Sequence, residues 1–239
     1  MDPQEEKRSG FDAGSHRPMN HAGRRVLVMR HGIVLNRFVL LRAERFFRKK
    51  GYEVHNRTYP STRKRIEEHG KDLADEMLRI DEDFRRRGEP YELYAYVHSM
   101  GGLILRHALT HFQLPPVRRA VLVGTPNQGS ATARYFRNFP PYRWIFGTSG
   151  QQLAADLPGI FGEVGVPVGT ELGIIAGDVR WKLYPAPLPR PHDAIVSVAE
   201  CALPPFPMKI LPLPHTPLIL ASSALEEAEH FFEHGRFRT

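Results

Sequence analysis

A serine hydroxyl is a weak nucleophile at neutral pH. It becomes reactive where a tight turn holds it in the open and a histidine can take its proton. Ser99 is a candidate for this chemistry. It follows the β-rich run Leu93 to Val97 and precedes a helical pattern carrying Leu103, Leu105, Ala108 and Leu109, so it falls at a strand-to-helix turn. The following helix aims its unpaired N–H groups and positive end at such a turn, so the N–H of Met100 can donate to an oxyanion forming on a substrate carbonyl. The crowded turn needs small neighbours, and Gly101 supplies one. Against the pattern G-x-S-x-G, the first position here is Val97, so the run reads V-H-S-M-G and the turn must accept a Cβ there. A serine after a strand is ordinarily a helix N-cap. Capping alone does not account for His98, Gly101 and Gly102 around it.

The run V-H-S-M-G-G resembles the nucleophile elbow of α/β-hydrolases, in particular small lipase- and esterase-like members. Three further segments are similar to the same family. Arg30-His31-Gly32-Ile33 looks like its H-G oxyanion loop, which implies the backbone N–H groups of Ile33 and Met100 as oxyanion donors and sets His31 beside the substrate pocket. Val123 to Ser130 (VGTPNQGS) is similar to a G-T-P-x-x-G-S loop. Pro191 to Val196 (PHDAIV) resembles a P-x-D-G-x-V acid loop, with Ala194 in place of the glycine. In this family the catalytic residues follow in the order Ser, Asp or Glu, then His. Ser99, Asp193 and His215 satisfy that order, with Asp178 as a competing acid just after the run ELGIIA. The other histidines beyond Asp193, His230 and His234, fall in a terminal helix expected to pack outside the sheet.

These residues need a scaffold, and from Arg25 onward short β-rich runs alternate with longer helical ones, the pattern of an α/β fold with a mostly parallel sheet. Strands are expected at Val26 to Met29, Glu53 to Arg57, Leu93 to Val97, Arg119 to Val123 and Glu171 to Ala176. Weaker strands are expected at Ala194 to Val198 and Met208 to Leu211. A helix capped by Asn36 runs to Lys50 and stops at Gly51. Arg63 to Arg87 places Ile66, Leu73, Met77, Ile80 and Phe84 on one face. The last helix carries a capping box of Ser223 and Glu226 and ends at Gly235. His107 and His111 stand at i, i+4, a spacing that suits a metal, but no acidic partner is near them in sequence.

Between Tyr135 and Ile160 lie Tyr135, Phe136, Phe139, Tyr142, Trp144, Ile145 and Phe146 among Arg134, Arg137 and Arg143, with a short helical segment near Leu153 to Leu157. This insertion at 134–165 reads either as a lid or as an extra helix on the core. As a lid, Phe136, Trp144 and Phe146 line an apolar acyl pocket, and the arginines favour weak contact with an anionic membrane surface.

With 239 residues and 41% hydrophobic content, the chain from 25 to 239 fits a single domain. Residues 1–24 are polar, with Pro3, Gly10, Gly14 and Pro18, and read as a mobile tail. They lack a signal-peptide hydrophobic stretch, and one cysteine, Cys201, permits no intrachain disulfide, so a cytoplasmic protein is expected. The net charge of +7 comes with no nucleic-acid motif. The resemblance implies hydrolysis of carboxylic esters, including lipids, through an acyl-enzyme and without a cofactor or metal. Acyl transfer, amide or thioester cleavage, and a non-catalytic binding module on the same fold are the alternatives.

Overall fold

A computed structural model describes residues 23–155, 169–181 and 187–239. Most of the expected tail, residues 1–22, and residues 156–165 of the expected lid segment lie outside them.

The run Val26 to Met29 has no polar residue because it is enclosed on both faces. It lies in β1 (Arg24–Arg30), the second strand of a six-stranded sheet. The others are β2 (Tyr52–Asn56), β3 (Tyr91–His98), β4 (Val117–Val123), β5 (Glu171–Gly177) and β6 (Met208–Leu211). Every pairing between these six strands is parallel, in the order β2-β1-β3-β4-β5-β6. Alternate side chains feed two cores. Val26, Val28, Ala95, Val97 and Leu122 point into one, and Leu27, Met29, Tyr94, Tyr96 and Val121 into the other.

The first core is closed by α2 (Ile66–Arg87) and α3 (Met100–His111). The expected face of α2 is buried as its spacing requires, with Ile66, Leu73, Met77, Ile80 and Phe84 all enclosed and Gly88 ending the helix in the left-handed region. The second core is closed by α1 (Leu41–Lys49) and by the C-terminal helix Ser222–His234, which bring Phe47, Phe231 and Phe232 against the sheet.

Four expected boundaries differ. The long helix begins at Ile66 rather than Arg63, because the backbone before it is engaged elsewhere: Arg63 N–H donates to Pro60 O, and Lys64 O accepts from Ser149 Oγ. Asn36 caps a 3-10 turn (Arg37–Leu40), which then leads into α1. The box of Ser223 and Glu226 does not form. The C-terminal helix starts two residues earlier, with Ala221 rather than Ser223 at its cap position, and Glu226 binds Arg238 instead. Ala194 to Val198 is not a strand. Asp193 folds this segment onto its own side chain, and a single antiparallel bridge, His192 with Ser197, closes the loop before one helical turn, Val198–Cys201.

After β4 the chain forms α4 (Ala131–Phe136) and α5 (Pro140–Leu153). α5 ends at Leu153, where a further short helical segment was expected to start. These helices face Ser99, Gly32 and Ile33 at the strand ends across a shared cavity.

Candidate active site

Ser99 lies between the last residue of β3 and the first of α3, with φ 54° and ψ −125°. A non-glycine residue reaches this region only when its surroundings hold it there. Here Ser99 N–H donates to Val123 O of β4 at 2.9 Å, and Ser99 O accepts from Gly102 N–H at 2.9 Å. Gly101 must lack a side chain, since a Cβ would stand 2.9 Å from the carbonyl oxygens of both Arg30 and His31. That close approach brings the loop after β1 against the elbow. Val97 fits in place of a glycine because its side chain points into the core beneath the sheet's first face.

The loop after β1 passes beside the serine. A Cβ on Gly32 would lie 3.0 Å from Ser99 Cβ, and Gly32 and Ile33 line the same cavity as Ser99. Met100 opens α3, so its N–H belongs to the first turn, whose donors have no intrahelical acceptor.

His215 begins a single helical turn after β6 and is 6% exposed. Its Nδ1 lies 2.6 Å from Oδ2 of the fully buried Asp193. Its backbone N–H donates to Asp193 O at 2.9 Å, so the two residues are joined twice. The remaining carboxylate oxygen, Oδ1, accepts from the N–H groups of Ile195 and Val196 at 2.9 and 2.7 Å. This double acceptance bends the loop and drives Ala194 to φ 79°, where a glycine was the expected residue. Gly124, at φ 58°, lets β4 pass beneath the pair, since a Cβ there would lie 3.0 Å from the His215 ring. Asp178 is exposed at the end of β5, with its N–H donating to Leu211 O, and His215 takes its carboxylate from Asp193.

A carboxylate on Nδ1 holds a histidine in the tautomer whose Nε2 can accept a proton. His215 and Ser99 face one cavity, and no hydrogen bond among the described residues joins the Ser99 hydroxyl to the ring. Such contacts commonly tighten only when substrate is bound. His98 fills the space behind them. Its ring packs 4.6 Å from that of His215, and its Nε2 lies 3.2 Å from His215 O. Burial, and then the neighbouring His215, hold its pKa well below the usual histidine value, so it is a neutral support.

The cavity measures about 390 Å³. Its floor is Ser99 and His215, and much of its wall is apolar, with Phe136 of α4, Tyr142, Ile145, Phe146 and Leu153 of α5, and Phe139 between the two helices. Trp144 is not part of this wall. Positions 142, 145 and 146 share one face of α5, and Trp144 falls on the other, 87% exposed. Tyr135 is likewise outside it, 49% exposed. His31, expected at the pocket, is fully buried behind the loop, and its neighbours Gly32 and Ile33 form the wall instead. His107 and His111 stack on each other at 4.3 Å on α3. Sequence reasoning missed Tyr59, whose hydroxyl donates to His31 O at 2.7 Å. Tyr59 lies in a loop without periodicity, so only the tertiary contact reveals it.

No protein-family model matches the sequence, and no curated protein matches it. Solved structures do. The mature lipase BlEst2 of Bacillus licheniformis aligns at 18% identity and TM-score 0.65, covering 92% of this chain and 94% of that one. The metagenomic carboxyl esterase MGS0156 aligns at 13% and 0.59, covering 96% and 81%. The Pyrococcus furiosus esterase PF2001 aligns at 17% and 0.54, covering 82% and 76%. The chain therefore has the α/β-hydrolase fold found in these lipases and esterases, with six parallel strands flanked by helices among its described residues.

Proposed function

We propose that the chain is a serine hydrolase that cleaves carboxylic esters through an acyl-enzyme. The observation that carries this reading is the buried His215–Asp193 pair at 2.6 Å, whose histidine lines the cavity that also holds Ser99 at its turn. Ser99 Oγ attacks the ester carbonyl while Nε2 of His215 takes its proton. The N–H groups of Ile33 and Met100 receive the negative oxygen. Collapse breaks the bond to the leaving alcohol, which takes the proton back from Nε2. Water, deprotonated by the same nitrogen, then attacks the acyl-serine; the bond from Ser99 Oγ to the acyl carbon breaks, Oγ takes the proton back from Nε2, and the acid is released. Asp193 steadies the imidazolium in both halves.

The apolar wall of α4 and α5 fits an acyl chain, and the cavity volume is in the range of small-molecule sites. As a lid, these helices would also meet the surface on which a lipid substrate sits. Residues 131–155 carry Arg134, Arg137 and Arg143 and no acidic residue, and they expose Phe139, Trp144 and Ile145. Cationic and aromatic side chains exposed on such a segment favour an anionic lipid interface.

Short p-nitrophenyl esters test the reading. Turnover by the purified chain that disappears in Ser99→Ala supports it, and absence of turnover on every acyl length opposes it. Adding an alcohol during turnover separates hydrolysis from acyl transfer by the product formed.

A further inference from the structure

The carbonyl of Gly32 and the N–H of Ile33 are opposite ends of one planar trans peptide group, so whatever grips the oxygen also aims the N–H. His31 grips it, with its Nδ1 2.8 Å from Gly32 O. A neutral imidazole has one N–H and one acceptor nitrogen. Tyr59 N–H donates to His31 Nε2 at 3.4 Å, which leaves the ring proton on Nδ1 to donate to the Gly32 carbonyl. Tyr59 also holds the preceding peptide, donating its hydroxyl to His31 O, and its ring stacks on the imidazole at 4.3 Å and 20°. His31 is fully enclosed. That burial, ahead of the opposing bond to Gly32, lowers its pKa to about 4, so the ring is neutral at pH 7.

We infer that His31 and Tyr59 are positioning residues for oxyanion binding. The imidazole orients the peptide group whose N–H meets the substrate oxyanion, and Tyr59 selects the tautomer and locks the ring plane. This role rests on the reading of Ser99 as nucleophile and Ile33 as donor. It accounts for two polar side chains that do not reach the cavity yet hold the backbone that does.

His31→Phe keeps a ring stacked on Tyr59 and removes the Nδ1 donor. The expected loss is about 10- to 100-fold in kcat with KM within about twofold, because the misdirected N–H matters only once the oxyanion forms. Affinity for a boronic acid, which forms a tetrahedral adduct on the serine, should fall in proportion to kcat, whereas that for the carboxylic acid product should not. Tyr59→Phe keeps the stack and removes one hydrogen bond, for a loss of roughly fivefold in kcat. The double variant should be no slower than His31→Phe, since both act on one peptide group.

The underlying reading is checked separately on the wild-type chain, by whether a fluorophosphonate labels Ser99. No labelling there refutes the serine reading itself. A labelled, active wild type whose His31→Phe form retains kcat and boronic-acid affinity overturns only the positioning role. If His31→Phe does not fold, unchanged kcat in Tyr59→Phe overturns it in the same way.

Discussion

Asp193 spends both carboxylate oxygens, one on His215 and one on the backbone of its own loop, whereas Asp178 stands in solvent at the end of β5. In Asp193→Asn the amide oxygen can still accept from Ile195 and Val196 N–H, while its NH2 faces His215 Nδ1 and forces the tautomer that cannot take a proton from serine. A fall in kcat of roughly a thousand- to ten-thousandfold, with the unfolding midpoint nearly unchanged, is expected. Asp178→Asn should stay within about twofold of wild type. Steady-state kinetics of the two variants decide, and the reverse pattern would contradict the assignment. The strand-to-helix turn at Ser99 was legible because its signal sits in consecutive residues, V-H-S-M-G-G. The choice between two aspartates was not, since both follow β-rich runs and only the folded loop shows which one meets His215. His31 was misplaced for a related reason: spacing locates a loop, and packing decides which side of it faces substrate.

At the scale of elements, the face of α5 that carries Tyr142, Ile145 and Phe146 meets the cavity and the face with Trp144 meets solvent. Phe146→Ala should therefore shift preference toward longer or bulkier acyl groups. Acyl chains that pack on the Phe146 ring should also bind more weakly in this variant, by roughly fourfold for each methylene left uncovered. Trp144→Ala should leave the chain-length profile on p-nitrophenyl esters unchanged. Equal shifts in both variants would mean that α5 does not form the acyl wall. The buried strands and the apolar face of α2 were readable because burial on one or both faces imposes a residue pattern. Ala194 to Val198 misled because alternating apolar residues in a short loop carry the same pattern, while the deciding bonds come from one aspartate side chain. The start of the C-terminal helix misled because Ser223 with Glu226 three residues on has the form of a capping box, whereas in the fold Glu226 is drawn to Arg238 and Ala221 takes the cap position.

At the scale of the molecule, Arg134, Arg137 and Arg143 and the exposed Phe139 and Trp144 all fall within α4, α5 and the turn between them, with Arg134 3.9 Å from Glu200. Among the described residues, no helix is long and apolar enough to cross a membrane, so lipid contact through these two helices would be peripheral. The chain should pellet with phosphatidylglycerol vesicles at low salt, less so at high salt, and weakly with phosphatidylcholine. Trp144→Ser combined with Arg143→Glu should abolish pelleting while turnover of soluble short-chain esters persists. Failure of the wild type to pellet at low salt would dispose of the lipid surface and leave the ester chemistry intact.

The proposed ester cleavage requires that His215 activate Ser99 across the cavity, and intact-protein mass spectrometry after fluorophosphonate treatment tests this most directly. The expected result is a single phosphonyl adduct on Ser99 in the wild type, at least a hundredfold slower labelling in His215→Ala, where the base is gone, and none at that position in Ser99→Ala. An unmodified wild-type chain, or an adduct that forms equally fast without His215, would contradict this activation.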